Sequence, residues 1–360
     1  MKKIVSFVFT IVFMLTLMVN AQVQLTVLDS NTFNLGNGVI LSKTSFRGLS
    51  VVDDQTIWVS GSSGTFARST DGGKTFVFKQ LKAYATRDFR DIEAFDSQNA
   101  IMMCSGSPAF ILKTNDGGET WNEVFKDARP EIFLDAMDFW DAQHGVIVGD
   151  PINHHFVILE TRDGGNSWIE MDTTNTPDAN DSEAVFAASG TSLRCLDKNK
   201  FAFVSGGKKS RFYEGKIKGT SITWNKQTLP IIQGKSSQGA FSFDIKGKFG
   251  IAVGGDFIMD TLTQNNACVA KKYKKEWMAP FESRKVFLGY QSCVEIINKK
   301  LVIACGTTGV DANTTMHLAY QPKKVITHLS NESFNVVRKA KKGKGVFIAG
   351  ARGKIAVLRY

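Results

Sequence analysis

Three arginines and six acids are the side chains best suited to chemistry in this chain: Arg47, Arg90 and Arg352, with Asp91, Asp135, Asp150, Glu183, Asp256 and Asp311. A guanidinium presents a planar fork of donors that fits a carboxylate or a chain terminus. Carboxylates brought together, such as Asp150 and Asp256, could divide acid and base roles. Other chemistries lack their patterns. No Gly-x-Gly-x-x-Gly follows a strand and opens a helix, so no nicotinamide or flavin site is read. No serine sits in a nucleophile elbow. His154 and His155 are adjacent, which sends them to opposite sides of a strand, and we read a structural loop there. We assign no catalytic residue, no metal and no cofactor.

The elements that must position those side chains come from a repeat. Ser69-Thr70-Asp71-Gly72-Gly73-Lys74-Thr75-Phe76 recurs at 114–121, ending on Trp121, and at 161–168, ending on Trp168. Asp71, Asp116 and Asp163 are 45 and 47 residues apart, the length of one four-stranded propeller blade. In each copy the Asp accepts nearby backbone N–H groups and closes a tight turn. Gly73, Gly118 and Gly165 supply a positive φ. Phe76, Trp121 and Trp168 anchor the turn between sheets. These turns lack the further carboxylates of a calcium loop.

A second signature continues where the turn is lost: an apolar strand, a polar turn, and an apolar strand ending in glycine. The closing glycines are 61, 106, 149, 206, 254, 306 and 350. The expected fold is therefore an all-β, seven-bladed β-propeller with four-stranded antiparallel blades. The last blade has three strands, and the alternating stretch 23–28 should close it, removing an exposed edge. This geometry puts the Asp-turns on one face. The chain leading into each inner strand, and the loops after the closing glycines, lie on the other. The nine charged residues belong to that second face, near the central channel, where loops on a rigid scaffold usually carry contacts. They could grip a polar segment of a partner, or pair with one another and tie neighbouring blades.

The chain resembles the photosystem II stability/assembly factor-like propellers of the wider BNR/Asp-box group. The resemblance covers roughly 44–360. It rests on the three Asp-boxes and on segments such as Phe46-Arg47-Gly48-Leu49-Ser50-Val51-Val52, Gly149-Asp150-Pro151, Gly254-Gly255-Asp256, Ala349-Gly350-Ala351-Arg352-Gly353 and the longer 183–191. It implies a propeller that binds proteins or pigment–protein intermediates during assembly. The Asp-box is lost in blades four to seven, so the client does not follow from the resemblance. Sialidases also carry Asp-boxes, which makes a glycoside hydrolase the rival reading. Against it, none of the six tyrosines sits beside an acid in a recognisable motif, and the Arg-Ile-Pro motif is missing.

Lys2 and Lys3, an apolar run over 4–19 and Val19-Asn20-Ala21 read as an export signal cut after Ala21. An uncleaved anchor is the alternative, although the run is short for a span. The remainder, 22–360, is expected to form one domain with no integral membrane segment, periplasmic or extracellular, and monomeric. The net charge is +10. Its lysine clusters, Lys271-Lys272 with Lys274-Lys275 and the stretch 339–344, are read as solvated hairpin tips, and no nucleic-acid partner is expected. Five cysteines leave at least one unpaired. Pairing about Lys299 sets Cys293 opposite Cys305, a register that permits a disulfide. Two small buried apolar residues is the reading adopted. The function expected is an exported, non-catalytic propeller that binds a protein or other polar partner as an assembly or stability factor.

Overall fold

Seven antiparallel sheets succeed one another along the chain, and their inner strands contact each other in a closed ring. The computed structural model describes residues 23–219, 221–273, 276–277, 282–284, 287–313 and 326–360. The leader expected at 1–21, and Lys274 and Lys275, lie outside them. The inner strands are Phe46–Val51, Phe89–Ala94, Leu134–Phe139, Leu193–Cys195, Gln238–Lys246, Cys293–Asn298 and Phe334–Lys339. Most blades have four strands. Blade 1 gains a short parallel strand, Asn34–Leu35, and the sheet of blade 5 is extended by Glu183–Ala184 and Gly206–Gly207. Gln24–Val27 pairs with Ile355–Arg359, so the N-terminal strand closes blade 7 as expected.

The repeat marks have physical causes. In the first Asp-box, Thr75 N and Thr75 Oγ1 donate to Asp71 at 3.0 and 2.6 Å, while Gly73 N donates to Ser69 Oγ at 2.9 Å. Asp116 and Asp163 make the same bonds to Thr120 and Ser167. Hydrogen bonds from Thr120 and Thr114 hold Asp116 down at about 2. Trp121 crosses to the preceding blade and meets Phe66 edge-on at 5.2 Å. The closing glycines admit a chain: a Cβ on Gly61 would lie 2.2 Å from Ser45 O, and on Gly306 2.1 Å from Tyr290 O.

An inner strand has one edge with no strand beside it, and its N–H groups still need acceptors. Here the preceding blade supplies them. Ser50 Oγ accepts Ala94 N, Asp91 Oδ2 accepts Met137 N, Asp138 Oδ2 accepts Cys195 N, and Asp244 Oδ2 accepts Ile296 N, at 3.0, 2.8, 2.6 and 2.6 Å. Polar residues in this apolar ring thus hold blade to blade. The Cys293–Cys305 register is as expected, by a different route. The turn is two residues, Lys299 and Lys300, and a bulge at Ile297 restores the count. Both thiols are free and buried.

The stretch 339–344 departs from expectation in one residue. Its turn is present, but Lys341, still partly exposed, bonds the buried carboxylate of Glu93 and Ala94 O through Nζ.

Candidate functional site

Five inner strands carry a β-bulge near their start, one residue in for four of them and three residues in for Gln238–Lys246. A bulge leaves one residue out of the ladder and re-aims its side chain. The residues left out are Arg47, Arg90, Asp135, Phe241 and Asn335, from blades 1, 2, 3, 5 and 7. All five line one groove of about 470 Å³ on the face opposite the Asp-boxes, joined by Asp150, Phe133, Phe186, Phe257 and Tyr290. A larger groove of about 690 Å³ lies on the Asp-box face, beside Asp163.

The segment 183–191, between blades 3 and 4, crosses the channel mouth here. Val185 N donates to Asp150 Oδ1 at 2.9 Å. Arg90 Nη1 donates to Ala187 O at 3.2 Å, and Arg47 Nη1 to Ala188 O at 3.3 Å. Ser189 Oγ reaches Ser292 O, and Thr191 Oγ1 reaches Ser242 Oγ. Phe186 stacks on Phe241 with centroids 3.9 Å apart and an interplanar angle of 6°. Gly190 passes so close to Asp91 that a Cβ would lie 2.3 Å from its carboxyl group, and its φ is +65°. Only glycine meets both conditions without strain.

The electrostatics are one-sided. Burial, and then the adjacent Arg90 guanidinium, lowers the Arg47 pKa, yet an arginine stays cationic at neutral pH. Arg47 Nε is buried with no hydrogen-bond partner. Arg90 pairs with Asp88 at 2.9 Å and lies 5.8 Å over the Phe133 ring. Burial, with Asp150 beside it, pushes Asp135 well above the usual carboxylate range. Burial pushes Asp150 up to about 7 against the bond from Val185. The ion pair that Arg90 makes here is with Asp88.

The nine charged residues singled out in the sequence divide. Arg47, Arg90, Asp135 and Asp150 come together in the groove. Asp91 lies beneath Gly190 and joins blade 2 to blade 3. Glu183 is buried and accepts Ser205 Oγ and Tyr213 Oη, with Arg211 at 3.4 Å. Asp256, 1% exposed, accepts Gln238 Nε2 and two backbone N–H groups, so it does not converge with Asp150. Asp311 accepts Leu288 N and pairs with His328 at 2.8 Å. Arg352 is exposed at a turn, with φ +58°. Sequence reading missed the aromatic wall. Its signal was the repeat position itself, since Phe241 occupies in blade 5 the place of Arg47 and Arg90. His154 sits in a tight turn with φ +66°, as a structural loop requires. Among the described residues no group of His, Cys, Asp and Glu could hold a metal ion, and no helix is long and apolar enough to cross a membrane.

Fold and site together define a seven-bladed β-propeller with a basic, aromatic-walled groove at one channel mouth. Its residues 41–131, which hold the first two blades, match the family described as Photosynthesis system II assembly factor YCF48. No curated protein matches the chain in sequence. Among solved structures, YCF48 bound to D1 peptide aligns with 94% of this chain and 97% of its own, at 13% identity and a TM-score of 0.58. YCF48 from Cyanidioschyzon merolae aligns with 88% and 96%, at 13% identity and a TM-score of 0.62. The WD40 propeller domain of Doa1 aligns with 94% and 97%, at 10% identity and a TM-score of 0.59. At such identities the likeness is one of fold.

Proposed function

We propose that this chain is an exported, non-catalytic propeller that binds a protein partner as an assembly or stability factor, and that it holds an acidic segment of that partner in the Arg47–Arg90 groove. The observation that carries the reading is the buried Arg47 Nε, left without an acceptor beside a second guanidinium. Buried donors are rarely left unpaired, and a carboxylate is the acceptor that a guanidinium fork fits. The aromatic wall supplies apolar area for the residues flanking such a carboxylate. The structural relative that carries D1 peptide supports a peptide as the occupant. The leader pattern at 1–21 supports export.

The test is affinity capture from the native envelope with wild type, Arg47→Ala/Arg90→Ala and Arg90→Lys. We expect the double variant to lose capture at least about tenfold, the loss of one or more charge-assisted bonds, while its Tm stays close to wild type. Arg90→Lys keeps the charge but loses the fork, and should fall between them. Parallel loss of stability and capture in the double variant would assign the arginines to blade cohesion instead.

A further inference from the structure

Three consecutive apolar side chains stand in solvent on the turn after the second strand of blade 5. Phe257, Ile258 and Met259 are 46, 73 and 49% exposed, and Leu288 beside them is 39% exposed. Tyr290 N donates to Asp260 O at 2.7 Å, which fixes the Leu288 loop against this turn. Isolated exposed apolar residues need no explanation, but a contiguous set does. Ile258, its most exposed member, forms the tip.

Two independent features indicate what covers it. The first is the backbone. Phe257 N donates to Ser237 O at 3.1 Å, and Ile258 N and Met259 N donate to Asp256 Oδ1 at 3.0 and 3.2 Å. The buried Asp256 therefore satisfies the tip from within. A turn can enter an apolar medium only when its N–H groups are already paired. The second is charge. Lys208, Lys209 and Lys235 are exposed on adjoining loops, fixed there by Gly234 N donating to Gly207 O at 3.0 Å. The one acid on the turn, Asp260, accepts Thr307 Oγ1 at 2.8 Å.

We infer that the Phe257-Ile258-Met259 turn docks this protein on an anionic lipid surface: the three side chains enter the headgroup–acyl boundary while Lys208, Lys209 and Lys235 face the phosphates. Apolar insertion and cationic attraction are each weak alone and act together. Phe257 also meets Phe241 edge-on at 6.1 Å, so docking sets the Arg47–Arg90 groove beside the membrane.

The test is co-sedimentation of the purified protein with vesicles of phosphatidylglycerol and phosphatidylcholine, against phosphatidylcholine alone. Wild type should sediment with the mixed vesicles and be released by salt, because the lysine term is screened. Ile258→Asp should weaken binding more than about tenfold, since it places a charge in the boundary. Lys208→Glu/Lys209→Glu should weaken binding to the mixed vesicles only. All these positions are exposed, so unchanged Tm values would show that the variants fold. Wild type remaining in the supernatant with both vesicle types would overturn the proposal, as would full binding by Ile258→Asp. Loss of envelope capture by Ile258→Asp, with wild type indifferent to vesicles, would make the tip a protein contact instead. The vesicle assay contains no protein partner, so its outcome is independent of the function proposed above.

Discussion

The two mouths of the channel are built by the same inner strands and treat charge in opposite ways. At the Asp-box mouth, Glu93 is paired with Lys341 and Arg194 with Glu295 at 3.2 Å. Asp138, Asp244 and Glu295 also accept N–H groups of the next blade. Burial works against the Arg194 charge, but Glu295, Asp244 and Asp138 outweigh it. At the groove mouth, Arg47 and Arg90 bond two backbone carbonyls and Asp88, and Arg47 Nε bonds nothing. Charge at the first mouth joins blades, Arg338 Nη1 apart. At the second, the charge left on Arg47 is what supports the ligand site proposed above.

The largest effect that would break this contrast lies at the Asp-box mouth. Arg194→Met should destabilise the propeller by about 3–5 kcal/mol, the cost of leaving buried carboxylates without their cation. Thermal or denaturant unfolding reads it. A loss no greater than that of Arg90→Ala would mean that the two mouths are not differently built.

Asp150 gives the next effect, and it depends on pH. Its pKa in the folded chain, about 7, lies above the ordinary 3.8. The stability it contributes is thus full below about pH 4 and is lost as pH rises through 7, up to about 4 kcal/mol at most. Asp150→Asn should remove that loss, so the Tm of wild type should fall relative to the variant between about pH 4 and 7 and then run level with it. Partner capture should weaken as pH rises through 7, because the carboxylate that ionises there in the folded chain competes for the groove's positive field. A capture curve flat with pH in wild type would exclude an acidic segment as the ligand.

Legibility followed the same division. The blades were readable because each has a local cause: the Asp-box turn, the closing glycine that admits a neighbouring chain, and alternating strands. Arg47 and Arg90 were readable because they recur at one repeat position. Glu183, Asp256 and Asp311 were not read as turned inward, because their partners Tyr213, Gln238 and His328 are distant in sequence or set by loops with no repeat. The 183–191 segment showed in the sequence as part of the resemblance and as extra length, 57 residues from Gly149 to Gly206, the longest step in the ring. Nothing local says that its carbonyls meet two arginines 97 and 141 residues earlier. The cysteine register came out right because a tighter turn and a bulge offset each other.

The smallest predicted effect sharpens the comparison from outside the channel. Asp163→Ala removes the acceptor of Ser167 N, Ser167 Oγ and Asn166 N from a solvent-facing turn. Water replaces most of what those groups lose, so the cost should be near that of other side-chain caps, about 1 kcal/mol. Burial works against the Asp163 carboxylate, but bonds from Ser167 and Thr161 outweigh it and hold its pKa at about 2. Its stabilising contribution is therefore present above the ordinary 3.8 and lost as pH falls toward 2. Wild type and Asp163→Ala should differ in Tm at pH 6 and converge at pH 2. Capture and vesicle binding should be the same for both at neutral pH, because the turn faces away from the groove. A loss of capture in Asp163→Ala, with its fold intact, would move the binding site to the larger groove on the Asp-box face.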